Sequence, residues 1–154
     1  MSYIDKNLLP GEQIMFRTRK HIILFLWPLA WTIFSGYASA YMLENPILYK
    51  LVWTPWVVAF IFWAHAFLEY ITSEFVVTNR RVMMREGFFT RHSNEVRLAA
   101  ISQVNIDQSI IGQLLNFGTV SLNAFGAFDA YPLIAKPFQF QKIVNEQVDK
   151  SQTR

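Results

Sequence analysis

Two apolar stretches constrain this chain more than any other feature: Ile22–Leu43 (IILFLWPLAWTIFSGYASAYML) and Leu51–Ile71 (LVWTPWVVAFIFWAHAFLEYI). The first carries no charge and the second only Glu69, near its end. A helix rises about 1.5 Å per residue, so each stretch spans roughly 30 Å, the hydrocarbon thickness of a bilayer. A buried helix of a soluble protein normally keeps a polar stripe, and Ile22–Leu43 has none. All five tryptophans fall in these stretches, with Tyr41, Tyr49, Trp53 and Trp56 near the connection and Tyr70 at the far end. Such rings favour the membrane–water boundary, where an apolar body and a polar tip are both accommodated. The sequence therefore predicts a two-span transmembrane hairpin over 21–71, preceded by a lead-in over 1–20 and followed by a domain over 72–150 and a short tail, 151–154.

Basic residues set the expected orientation. Arg17, Arg19 and Lys20 precede the first span, and Arg80, Arg81 and Arg85 follow the second. The connection Glu44–Lys50 carries only Lys50 against Glu44. By the positive-inside rule both termini are expected in the cytoplasm. Ala38-Ser39-Ala40 resembles a signal-peptidase site, but the polar segment before it is long for an n-region and the apolar run long for an h-region. An uncleaved anchor is expected. The six cations offer a second role, contact with anionic lipid, each worth about 1 kcal/mol near the surface; topology alone also accounts for them.

The rest of the chain is short, about eighty residues, enough for one small core. The net charge of +3 is too small to argue for nucleic-acid binding. The absence of cysteine excludes disulfides and thiolate chemistry. In the lead-in, Leu9-Pro10-Gly11-Glu12 marks a turn and Gln13–Arg19 a short strand. Beyond Ile71, β-prone runs at Phe75–Thr78 and Arg81–Met84 flank Asn79-Arg80, a hairpin signal. Further strands are expected at Phe88–Arg91, Glu95–Leu98, Gln103–Asp107, Gly118–Asn123 and Ala130–Ala135, with His92-Ser93-Asn94 as a turn and Pro132 arguing for an edge. Ser109–Leu115 reads as a turn or two of helix. Pro137–Lys150 has amphipathic helical spacing, with Phe140, Ile143, Val144 and Val148 on one face. The pattern is a small all-β barrel or bent sandwich closed by a C-terminal helix.

Three features of the spans bear on function. Ser35, Gly36, Ser39 and Ala40 place small residues at helical spacing, and Gly36 with Ala40 forms a small-xxx-small pair that lets backbones approach. Packing within the hairpin and packing between subunits both remain open. Pro28 and Pro55 are expected as kinks. His65 and Glu69 share a helix face, and an intramembrane ionisable pair offers a proton relay or a helix lock; the simpler reading puts both near the cytoplasmic end, with Glu69 reaching water. A relay role predicts that replacing both abolishes activity while membrane assembly survives.

The segments VTNRRVMMREG and EVRLAAISQVNIDQSIIGQLLNFGTVSLNAFG resemble the bacterial pleckstrin-homology-like domain of the second class, typified by the membrane-anchored YdbS-like proteins of unknown function. The resemblance rests on Val77-Thr78-Asn79, Arg81-Val82, Gly87, Glu95, Ile101, Val104, Gln108-Ser109, Gly112, Leu114-Leu115, Phe117-Gly118 and Val120, with Leu9-Pro10-Gly11-Glu12 as the family's start. It implies a bent seven-stranded barrel capped by a helix, anchored in the bacterial inner membrane. Gln113 stands where the family places a basic residue, which weakens headgroup binding there, and Asn116 stands where it places glycine. Fold resemblance does not fix function.

No nucleophile motif, phosphate loop or zinc spacing is present, and His21, His65 and His92 are scattered. The expectation is a non-enzymatic scaffold without cofactor or metal, a homo-oligomer that meets other membrane proteins, with Phe88, Phe89, Phe125 and Phe128 as contact points near turns. The alternatives are a small oligomeric transporter or membrane enzyme using His65 and Glu69, and anionic headgroup binding by the domain.

Overall fold

The computed structural model describes residues 4, 7–87, 92–124 and 126–152. The chain divides into two compact units, one of residues 22–71 and one of the remainder.

The first unit is a helical hairpin. A 3-10 turn, Ile22–Phe25, leads into α1 (Leu26–Glu44), and another, Tyr49–Leu51, precedes α2 (Thr54–Thr72). Both helical stretches are long and apolar enough to cross a membrane, and only 11% of each is buried. Pro28 and Pro55, expected as kinks, each lie in a first turn, where the missing N–H breaks no helical bond. The chain reverses at Asn45–Leu48, with the Leu48 N–H bonded to the Asn45 carbonyl at 3.0 Å and Pro46 inside the turn. The Asn45 amide donates to the Tyr41 carbonyl (3.0 Å), satisfying an acceptor orphaned at the helix end.

The helices meet through two small polar residues, Ser35 and Thr32, and several rings. Ser35, fully buried, sets its hydroxyl 2.7 Å from the Trp31 carbonyl and 2.8 Å from the Pro55 carbonyl of the facing helix. Trp31 stacks on Phe62 at 5.1 Å and Phe25 on Trp63 at 5.6 Å. The Trp63 indole N–H donates to the Thr32 hydroxyl (2.9 Å). Ala59 and Ala66 are the buried residues of α2, their small side chains permitting close approach.

Among the described residues, the second unit holds seven antiparallel strands in two sheets. The lead-in, set apart in the sequence as 1–20, supplies β1 (Ile14–Thr18) and is continuous with the four-stranded sheet β1-β2-β3-β4, completed by β2 (Glu74–Thr78), β3 (Arg81–Glu86) and β4 (His92–Arg97). The other sheet is β5 (Ile101–Asp107), β6 (Phe117–Ala124) and β7 (Ala127–Ala135). Between β5 and β6 lies the short helix α3 (Ile110–Leu115), and α4 (Pro137–Gln152) closes the chain. Pro132 sits in β7, which borders its sheet, where a missing N–H costs least.

Apolar side chains from both sheets and α4 form one core, with Phe75, Val82, Leu122, Ile134, Phe140 and Val144 almost fully enclosed. Phe140 and Val144 are one helical turn apart and face inward, as the spacing in Pro137–Lys150 predicts. Strand β2 is buried on both faces: Phe75 and Val77 point to the main core, while Val76 packs with Met83 and Ile4 in a second cluster. Double-sided burial explains why Phe75-Val76-Val77 reads as an unbroken apolar run.

The expected turn at His92-Ser93-Asn94 is overturned. These residues open β4, paired with Glu86, Arg85 and Met84 of β3. Pairing satisfies their backbone groups, and the Asn94 side-chain amide donates to the Asp129 carboxylate on β7, linking the two sheets. Tertiary pairing here outweighs the local turn preference of Ser and Asn. The strand expected at Phe88–Arg91 lies outside the described residues, as do Phe125 and its expected contact role.

Candidate functional site

The residues that carry the resemblance divide into a lock and a display. The lock joins the turn at Leu9–Glu12 to the β2–β3 hairpin. Glu12 accepts the Leu9 N–H (2.8 Å), the Thr78 hydroxyl (2.7 Å) and two N–H groups of Arg81 (both 3.0 Å). Arg81 also donates to the Asn7 carbonyl (2.9 Å) and to Glu95 (2.6 Å). The Asn79 side-chain oxygen accepts the Gln13 N–H at 3.1 Å. Burial alone pushes the Glu12 carboxyl up, but the hydrogen bonds from Arg81, Leu9 and Thr78 and the Arg81 charge outweigh it and hold the group below its ordinary value. The hydrogen bond to Glu12, outweighing the cost of burial, holds the Arg81 guanidinium above its usual range. These groups hold the fold together; their bonding capacity is spent on one another.

The lock changes the picture of the six basic residues flanking the hairpin. Arg81 is committed to Glu12 and Glu95. Arg17 pairs with Glu74 at 3.2 Å, and Lys20, only 6% exposed, sits 3.3 Å from Glu86. Arg85 is partly buried opposite Glu74 in the strand register. Arg19 and Arg80 are exposed. Long-range pairing of this kind leaves no spacing rule in the sequence, so the carboxylate partners were not legible there.

Arg80 joins cations that sequence reasoning did not associate with it. It lines a cleft of about 850 Å³ together with Arg97 and Lys150, with Asn79, Gln147 and Asp149 beside them. The β2–β3 hairpin, the end of β4 and the last turns of α4 bring these distant positions together.

The display is α3. Ser109 caps it, its hydroxyl accepting the Gly112 N–H at 3.1 Å. Asn116 ends it at φ 59°, so the substituted glycine position keeps its left-handed turn. Gly112 allows the helix to lie against β6: a Cβ there would stand 2.6 Å from the Phe117 carbonyl oxygen. Gly118 fits as closely, 2.7 Å from Gln108, whose side chain donates to the Phe117 carbonyl at 2.9 Å. So fixed, α3 turns its apolar residues outward, with Ile110 87%, Ile111 61% and Leu114 85% exposed. His21 stacks on Phe117 at 5.2 Å and its N–H bonds to the Leu133 carbonyl. Phe128, one of the expected contact points, is exposed; Phe88 and Phe89 lie outside the described residues.

In the hairpin the small residues separate by role. Ser35 faces α2, whereas a Cβ on Gly36 would meet nothing within 4 Å, and Ala40 is exposed. Ser39 bonds back to the Gly36 carbonyl of its own helix (2.9 Å). His65 and Glu69 approach to 3.8 Å as the spacing predicts, with the His65 side chain 63% exposed.

This chain is similar to a DUF1696-family protein with a pleckstrin-homology domain from Shewanella loihica PV-4, known from a crystal structure, at 17% identity and a TM-score of 0.41, over 51% of this chain and 73% of that one. No curated protein matches. Residues 21–148, most of the chain, match the model of the bacterial PH domain, and the chain belongs to that family.

Proposed function

We propose that this protein is a non-enzymatic assembly module of the bacterial inner membrane: α1 and α2 cross the bilayer, both termini are cytoplasmic, and the β unit acts by contact with other proteins. The observation that carries the reading is the outward apolar surface of the hairpin. Trp27, Ile33, Tyr37 and Phe60 are 72%, 67%, 84% and 72% exposed. So much exposed apolar area is unfavourable in water and favourable in lipid. The cations before and after the hairpin support the orientation.

Because the chain has no cysteine, single introduced thiols report topology directly. In spheroplasts an impermeant maleimide is expected to label Ile47→Cys, in the connection, without permeabilisation, and Lys142→Cys, on α4, only after it. Labelling of Lys142→Cys in intact spheroplasts, or release of the chain by alkaline carbonate, would remove the reading.

Self-association is supported by the open face at Gly36 and Ala40. A Cβ at Gly36 meets nothing within the hairpin, so Gly36→Leu is expected to shift the mass in mild detergent from oligomer to monomer without loss of helix signal. A wild-type chain that is already monomeric by mass would count against assembly through the spans. The basic cleft at Arg80, Arg97 and Lys150 favours a second reading, binding of anionic headgroups by the β unit.

A further inference from the structure

We infer that α3 is a lipid-embedded foot: Ile110, Ile111, Leu114 and Leu115 enter the interfacial layer of the leaflet from which the first span departs and hold the β unit against the membrane. The inference rests on the reading that α1 and α2 cross the bilayer.

Four apolar side chains on a six-residue helix, all exposed, require a cover. Their presentation is rigid, fixed by the Ser109 cap, the left-handed Asn116 and the Gly112 contact with the Phe117 carbonyl. A second copy of the chain or lipid would each cover them. Continuity with the membrane entry favours lipid. Phe117, the residue just after the helix and its cap, stacks on His21, and the next residue along the chain from His21 is Ile22, where the first apolar stretch begins. The foot is thus built beside the point at which the chain leaves for the bilayer. Its surroundings suit an anionic surface. Lys136, exposed, bonds through its N–H to the Asn116 carbonyl (3.0 Å), and Arg19, also exposed, accepts the Ala135 N–H on its carbonyl (3.1 Å). Phe138, 59% exposed, shares a cavity edge with Gln113 and Asn116 and extends the apolar area. Apolar side chains with flanking cations are what an interfacial segment needs: buried area in the acyl boundary and attraction to anionic headgroups.

The test uses the full chain in vesicles of phosphatidylethanolamine and phosphatidylglycerol, with an environment-sensitive fluorophore on single cysteines. Leu114→Cys is the reporter, Ile33→Cys the control within the span, and Lys142→Cys the control in water. Leu114 and Lys142 are exposed, so neither change disturbs the core. The expected result is that shallow brominated lipid quenches the Leu114→Cys probe several-fold more than iodide does, while the Lys142→Cys probe shows the reverse. Equal iodide quenching at both positions would overturn the foot. So would a Leu114→Cys probe shielded from iodide but untouched by brominated lipid, an outcome that puts protein over α3. The Ile33→Cys probe distinguishes the two levels: quenched by deep brominated lipid, it leaves the spans standing whatever α3 does; unquenched, it removes the membrane reading itself.

Discussion

Replacing Glu12 with glutamine is expected to lower the stability of the β unit by about 3 kcal/mol, a large part of the 5–15 kcal/mol typical of a domain. The Glu12 side chain has no solvent exposure and receives charge-assisted bonds from Arg81. Removing its charge leaves a guanidinium only 16% exposed, whose remaining carboxylate, Glu95, is 42% exposed. Glutamine keeps one acceptor for Thr78 or Leu9, and Arg81 keeps Glu95, which places the cost at the low end of that for a broken buried pair. The tryptophans all lie in the helical hairpin and do not report on this unit, so amide exchange in peptides covering β2 and β3 is the suitable measurement. At 1.4 kcal/mol per tenfold, globally protected amides should exchange on the order of a hundredfold faster. Glu95→Gln, at a more exposed site, should cost about 1 kcal/mol or less. The same site fixes a pH dependence. The folded carboxyl lies below its ordinary value of 4.5, so its contribution is complete above that value and fades as pH falls through the lower folded one. The gap between wild type and Glu12→Gln should therefore narrow with acidification; a gap that widened would show that burial, not Arg81, dominates the site.

Much of this architecture was legible because it follows short-range rules. The two long apolar helices announce themselves by length and lack of charge, and α4 by the spacing of Phe140 and Val144. Asn79-Arg80 is a turn because two β-prone runs flank it, and Ser109–Leu115 reads as a turn or two of helix. Local rules failed where a distant partner decides. Ser93 and Asn94 favour turns, yet β3 and Asp129 draw them into β4. Arg81 and Lys20 look like flanking charges to be read with the membrane, yet Glu12 and Glu86 lie across the fold from them. Pro28 and Pro55 suggest kinks until the helix starts are known, since only position within the first turn distinguishes a tolerated proline from a disruptive one. The candidate surfaces were the least legible. Arg80, Arg97 and Lys150 meet only after three elements are arranged, and the outward face of α3 depends on a backbone contact at Gly112 that has no sequence signal beyond the glycine itself.

That contact carries the second large expected effect. Gly112→Ala places a methyl group 2.6 Å from the Phe117 carbonyl oxygen, a backbone atom. Phe117 has little freedom to yield: it starts β6, pairs with Ala135 of β7, and receives the Gln108 side-chain N–H on that oxygen. The helix must therefore lift or its junction with β6 must open, at a cost of about 3 kcal/mol, the upper end for overpacking. Gly118→Ala meets Gln108 Cγ at 2.7 Å and the Asp107 carbonyl at 3.0 Å. Gln108 can move aside only by giving up its bond to the Phe117 carbonyl, but a side chain still yields more readily than backbone, so about 2 kcal/mol is expected there. Gly126→Ala meets no neighbour and costs only its left-handed backbone, φ 80°, or about 1 kcal/mol. Amide exchange over β6 should rank the three in that order, with β2 and β3 much less affected by Gly112→Ala than by Glu12→Gln. The ranking separates contact from conformation, because a purely conformational account would make Gly126 the most sensitive of the three. It also bears on the display of α3: if a rigid junction is what holds Leu114 outward, Gly112→Ala should weaken lipid quenching of a probe at Leu114 before it unfolds the unit, whereas quenching that survives a loosened junction would mean that the helix reaches its cover without that support.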